Sequence, residues 1–198
     1  MKKRILSLLL VFAMVFSLIP STALAVADTQ GASAEQANPF ADVKETDWFY
    51  DAVQYARVNG FFSGTSKTTF EPNGTMTRGM FVTVLGRMAG VDADRYQGES
   101  SLSDVPADAY YAPYVAWAVK HGVTAGTGGG KFSPDAPCTR AQMATFLWRA
   151  NGSPEMSGTN PFSDVAPGSF CYQAALWAAK KGLVSGSTFN GNAPCTRA

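Results

Sequence analysis

The strongest constraint on this chain is a repeat. Phe40-Ala41-Asp42-Val43 returns as Leu102-Ser103-Asp104-Val105 and again as Phe162-Ser163-Asp164-Val165, a period of about 60 residues. Six positions after each Asp stands an aromatic (Trp48, Tyr110, Phe170), and eighteen after it a glycine (Gly60, Gly122, Gly182). A second glycine lies four beyond (Gly64, Gly126, Gly186). A unit this short cannot bury its own apolar face, so copies must pack against one another.

Between the aromatic and the first glycine, apolar residues recur at i, i+1, i+4 and i+5. They are Ala52, Val53 and Ala56, then Tyr114, Val115, Ala118 and Val119, then Ala174, Ala175, Ala178 and Ala179. That spacing predicts one face of a helix, closed by the glycine in a left-handed cap. A loop carrying Phe70, Phe132 or Phe189 follows. A second helix then opens at Thr77-Arg78, Thr139-Arg140 and Thr196-Arg197. Its apolar face is Phe81, Val84, Leu85 and Met88 in copy one, matched by Met143, Phe146, Leu147 and Ala150 in copy two. Thr139 with Gln142 satisfies a capping box, whereas Thr77 with Met80 does not. Copy three stops at Ala198, one residue into its second helix. This predicts a partly uncovered third copy and a fragment of a longer chain.

The Thr-Arg step is the first candidate site. Thr caps orphan amides, but Arg in the first turn stands at the positive end of the helix dipole and wants a negative partner. Thr77, Arg78, Thr139, Arg140, Thr196 and Arg197 therefore read as three small-anion sites, with helix N–H groups as further donors. A salt bridge from each Arg to Asp42, Asp104 or Asp164 is the structural alternative, unless those Asp residues cap helices. Trp117 and Trp177 are equivalent, with Tyr55 their counterpart in copy one. They suit either a sugar-facing groove or the edge of the buried helix face. Trp48, Tyr110 and Phe170 are expected in the core by their size.

Cys138 and Cys195 stand where copy one has Met76, which favours buried apolar residues over a disulfide framework. Cys171 makes the count odd, and no spacing fixes a pairing.

Several classes are excluded. Lys2, Lys3 and Arg4, the apolar run Ile5 to Leu18 and Ala23-Leu24-Ala25 form a signal-peptide pattern over residues 1–25. Cleavage after Ala27 is the neighbouring alternative. Removing the three cations leaves 13 of the 16 basic residues against 15 acidic ones, about −2, which argues against nucleic-acid binding through bulk charge. No later segment approaches membrane-spanning length, so no stable span is expected after cleavage. The one histidine, His121, matches Asn59 and Lys181 in the other copies and lacks partners for a triad or a zinc site. The run Gly126 to Lys131 lacks P-loop spacing, and Asp92-x-Asp94 meets Ser103 where a calcium loop needs Glu. No catalytic set, metal or cofactor is expected.

Taken together, the Phe-x-Asp-Val openings, the aromatic six residues on, the Gly-x-x-x-Gly step and the Thr-Arg-Ala-Gln run resemble the S-layer homology (SLH) family over Phe40 to Ala198. The resemblance implies an all-α fold of helix–loop–helix repeats around a pseudo-threefold axis, the third repeat incomplete. It divides the chain into a signal peptide (1–25), a flexible linker (26–38), repeats at 39–90, 102–152 and 161–198, and linkers at 91–101 and 153–160. It implies a non-catalytic anchor on the bacterial cell wall or surface, S-layer included, binding secondary cell-wall polysaccharide that bears ketal-linked pyruvate. The family's Thr-Arg-Ala-Glu motif falls on Thr77 to Met80, Thr139 to Gln142 and Thr196 to Ala198, and none keeps the final Glu. Two alternatives stay open. One is a scaffold for other envelope proteins that uses the uncovered third copy. The other is the anchor part of a longer exported enzyme or S-layer protein.

Overall fold

The structure, a computed structural model, describes residues 38–198; the signal peptide and all of the first linker but Asn38 lie outside the described residues. Five α-helices are present among them: α1 (Tyr50–Val58), α2 (Arg78–Met88), α3 (Ala112–Lys120), α4 (Arg140–Ala150) and α5 (Tyr172–Lys180), with a 3-10 turn at Ala93–Tyr96. No strand longer than an isolated bridge accompanies them. The fold is all-α, with the predicted helices in the predicted order.

The first helix of each copy ends as the periodicity required. Gly60, Gly122 and Gly182 take φ near +70° (69°, 69° and 70°), where a side chain would be strained. The loop that follows is shaped by the repeat's Asp. Asp42 Oδ1 and Oδ2 accept the N–H groups of Phe70 (2.8 Å) and Glu71 (2.7 Å). Asp104 does the same for Phe132 and Ser133, and Asp164 for Phe189 and Asn190. The second residue of each pair sits at positive φ (59°, 57° and 54°), a turn the carboxylate holds by taking two consecutive amides. The preceding Phe is driven into the core at 1%, 0% and 0% exposure. These aspartates are loop clamps, neither helix caps nor salt-bridge partners.

Packing crosses the repeat boundary. The close helix pairs are α2 with α3 and α4 with α5, so the second helix of one copy lies on the first helix of the next. One core forms around α2 and α3 (Val82, Leu85, Val115, Trp117, Phe146) and another around α4 and α5 (Ala141, Ala144, Ala174, Trp177, Phe189). A third, smaller one holds Phe40, Val43, Val53 and Phe70 beneath α1. Among the described residues, the first helix that no second helix covers is therefore α1 of copy one, where the sequence pointed to copy three. Helix α1 buries Val53 alone, and Tyr55 is 49% exposed where Trp117 and Trp177 are 7% and 5%.

At the centre, the three helix starts join. Met76 N–H donates to Cys195 C=O (2.9 Å), Cys195 N–H to Cys138 C=O (2.8 Å), and Cys138 N–H to Met76 C=O (2.8 Å). Antiparallel bridges pair Thr77 with Pro137, Thr139 with Pro194, and Thr75 with Thr196. Each copy thus contacts the other two in a closed ring.

Candidate functional site at the repeat junctions

The Thr-Arg step works at this ring. Thr77 Oγ1 accepts Met80 N–H, and Thr139 Oγ1 accepts Gln142 N–H while Gln142 Oε1 accepts Thr139 N–H. The capping box forms only where the sequence allows it. In copy three, Thr196 is exposed and its hydroxyl donates to Ala198 C=O.

The remaining first-turn amides are not free for an anion. Arg78 and Gly79 donate to Ala136 and Pro134, Arg140 and Ala141 to Ala193 and Gly191, and Arg197 and Ala198 to Gly74 and Pro72. Each helix start is capped by the loop of the following copy, copy one following copy three. This overturns the expectation that helix N–H groups add donors for a ligand.

The arginines follow the same path. Arg78 Nε donates to Phe132 C=O (2.9 Å), Arg140 Nε to Phe189 C=O (2.9 Å), and Arg197 Nε to Phe70 C=O (2.7 Å). Each guanidinium lies over the ring of that same Phe, at 4.7, 5.7 and 4.8 Å from Cζ to centroid. The negative partner demanded by the dipole is a carbonyl dipole and a π face. The ion pairs seen among the described residues, Arg95–Asp92 and Lys120–Glu99, lie elsewhere.

Exposure then ranks the three. Arg78 is 3% exposed, with Nη2 buried and unpartnered, and burial pushes its guanidinium below the ordinary value. Arg197 is 9% exposed and spends Nη2 on Ser63 C=O (2.8 Å). Arg140 is half-buried and opens into a groove.

That groove, of about 840 Å³, lies between the start of α4 and copy three. Arg140, Phe170, Ser185, Thr188, Asn190 and Asn192 are among its lining residues. Its aromatic wall was misassigned from sequence. Phe170 is 66% exposed, and its equivalents Trp48 and Tyr110 are 84% and 56% exposed. They precede the helices on turns that face solvent, so their size does not bring them inside. Trp117 and Trp177 instead belong to the two main cores, as the packing alternative had it.

Three repeat units joined in a ring, with a groove between the second and third that is flanked by exposed Phe170 and half-buried Arg140, define a tandem-repeat module. The family model of the S-layer homology domain matches residues 39–79, 101–144 and 161–198. The chain belongs to the S-layer homology domain family. It is 34% identical over 155 residues to an endoglucanase of Bacillus sp. (strain KSM-635), a match covering 75% of this chain and 15% of the relative. It is 36% identical over 117 residues to the surface-layer 125 kDa protein of Lysinibacillus sphaericus (56% and 10%). To an amylopullulanase of Thermoanaerobacterium thermosulfurigenes it is 30% identical over 172 residues (84% and 9%). The chain thus spans a small fraction of these relatives' length. Family and surface-layer relatives alike indicate association with the cell surface or cell wall. No helix among the described residues is long and apolar enough to cross a membrane.

Proposed function

We propose that this chain is a non-catalytic anchor that holds its protein to the cell surface by binding secondary cell-wall polysaccharide. The observation that carries the reading is the groove at Arg140, where an exposed aromatic, a half-buried cation and hydroxyl and amide side chains share one opening. A sugar ring stacks on Phe170, and a pyruvate ketal carboxylate meets the outer edge of the Arg140 guanidinium. Thr77, Arg78, Thr196 and Arg197 hold the other two junctions in shape, with Tyr110 and Trp48 as the corresponding platforms. Repeats at 39–90, 102–152 and 161–198 are the units of the module. The closed ring of hydrogen bonds supports a pseudo-threefold arrangement of them.

The experiment is sedimentation of the protein with purified wall sacculi carrying their polymer. Phe170→Ala is expected to reduce retention about tenfold, a loss of about 1.4 kcal/mol, without changing the melting temperature, because the ring is exposed. Removing pyruvate from the polymer is expected to abolish the contribution of Arg140. Retention unchanged by Phe170→Ala would move the site elsewhere.

A second reading, a scaffold for other envelope proteins, is favoured by large side chains at the surface of α1, where Tyr55 and Val58 are 49% and 62% exposed. Tyr55→Lys distinguishes it, because a scaffold loses its protein partner while polysaccharide retention stays. Whichever cargo the anchor serves, an endoglucanase, an amylopullulanase and a surface-layer protein are all represented among its relatives.

A further inference from the structure

The central ring brings together two cysteines that the sequence left unpaired. The antiparallel bridge between Thr139 and Pro194 places the next residue on each side, Cys138 and Cys195, directly opposite one another, joined by Cys195 N–H to Cys138 C=O (2.8 Å). Opposite residues of an antiparallel pair have Cα atoms about 4.5–5.5 Å apart and side chains on the same side. A disulfide requires about 4.4–6.8 Å. The surroundings agree. Cys138 is packed in the α2–α3 core, and Cys195 Sγ lies 3.7 Å from Met143 Sδ, a residue that packs against that core. Cys171 is in the other core at the start of α5, and Met76 fills the third place in the ring. Both thiols are free in this structure.

We infer that Cys138 and Cys195 are a disulfide-forming pair that locks the second and third repeats together at the centre of the ring. The partition of exposure sets the order of events. Cys138 is fully buried and its thiol is pushed up to about 12, chiefly by burial, whereas Cys195 is half-buried. The folded ring offers almost no Cys138 thiolate, so the bond closes while the third helix start is still joining. Cys195 thiolate attacks a sulfur of an external disulfide oxidant, small-molecule or protein, and releases one thiol. Cys138 thiolate then displaces the second, so two protons and two electrons leave the pair and the oxidant is reduced to two thiols. The cell surface is a compartment where such a bond persists. Because 57 positions separate the two cysteines, closing that loop removes much freedom from the unfolded chain.

The test uses the full chain secreted from a bacterial host, unfolded, alkylated without reduction and digested with trypsin. Cys138, Cys171 and Cys195 fall in separate peptides, 132–140, 150–180 and 182–197. The expected result is the first peptide linked to the third, two hydrogens lighter than their sum, with Cys171 alkylated. Alkylation of all three cysteines, or a link to Cys171, overturns the inference. Independently, reductant is expected to lower the melting temperature of the oxidised protein by about 10 °C and to leave Cys195→Ala unaffected. An equal shift in both proteins would also overturn it.

Discussion

At the residue scale the aspartates set the acid response. Burial works to raise the carboxyls of Asp42 and Asp104, but the N–H groups of Phe70, Glu71, Phe132 and Ser133 outweigh it, and both pKa values lie below the ordinary one. Asp164 is held low mainly by the Phe189 and Asn190 N–H groups. A carboxyl depressed in the folded state stabilises fully above its unfolded pKa and loses that contribution as pH falls through the folded one. Stability is therefore expected to drop as pH falls below about 4. Asp104→Asn replaces one acceptor oxygen by a donor facing the Ser133 or Phe132 amide, which costs about 1 kcal/mol at neutral pH. It also flattens the acid limb. Urea titrations at pH 7 and pH 3 check both, and an unchanged acid limb would remove Asp104 from the account. The sequence marked these residues by recurrence alone. A side chain bound to amides 25 to 29 positions away leaves no local pattern, so its job was not legible. Asn38 and Asn160 show the same limit. Each caps the opening turn of its copy through the amide of Phe40 or Phe162 and the carbonyl of Val43 or Val165, yet each sits in a stretch read as linker.

At the scale of elements, the helices were legible because their buried faces repeat every 3.6 residues, but their partners were not. Helix α2 meets α3 across a repeat boundary, and the contact is fitted by complementary sizes. Gly86 lies so close beneath the Tyr114 ring that a Cβ there would strike Cδ1. The equivalent positions in the next junction are Trp148 and Ala174, large and small exchanged, in one core cluster. Glycine inside a helix costs about 1 kcal/mol against alanine, so Gly86→Ala would be stabilising on propensity alone. Overpacking against a ring held by neighbours costs about 1–3 kcal/mol, and the contact is expected to win. Gly86→Ala should destabilise by about 1 kcal/mol net, and the same change made in a Tyr114→Ala background should stabilise. The double-mutant cycle decides; additive effects would mean that Gly86 is there for another reason. The arginines teach a related lesson. Their place at a helix start was plain, but the acceptor waiting there, a carbonyl and the face of the same Phe, belongs to another copy.

For the whole molecule, the consequence of ring closure is an asymmetry. The order copy one to two to three and back to one gives α3 and α5 a covering helix each, α2 and α4. Among the described residues none covers α1. The sequence showed that copies must pack on one another but not in which direction, and a second helix covers the first helix of the next copy rather than its own, so among the described residues the helix without that cover is in copy one. The physical difference is large. Helix α3 buries six residues and α5 five, while α1 buries Val53 only. Each aliphatic or aromatic side chain fully buried stabilises by about 1.5–3 kcal/mol, so the deficit at Tyr55 alone, against Trp117 and Trp177, is a tenfold difference or more in local opening. Amide exchange read helix by helix should show α1 exchanging at least about tenfold faster than α5, while the amides of Met76, Cys138 and Cys195 rank among the slowest because the ring opens only when all three copies part. Tyr55→Ala is then expected to change global stability by less than about 1 kcal/mol, where Trp117→Ala costs about 3–5 kcal/mol. Equal protection of α1 and α5 would mean that α1 is covered, and the open face would have to be withdrawn as a docking surface.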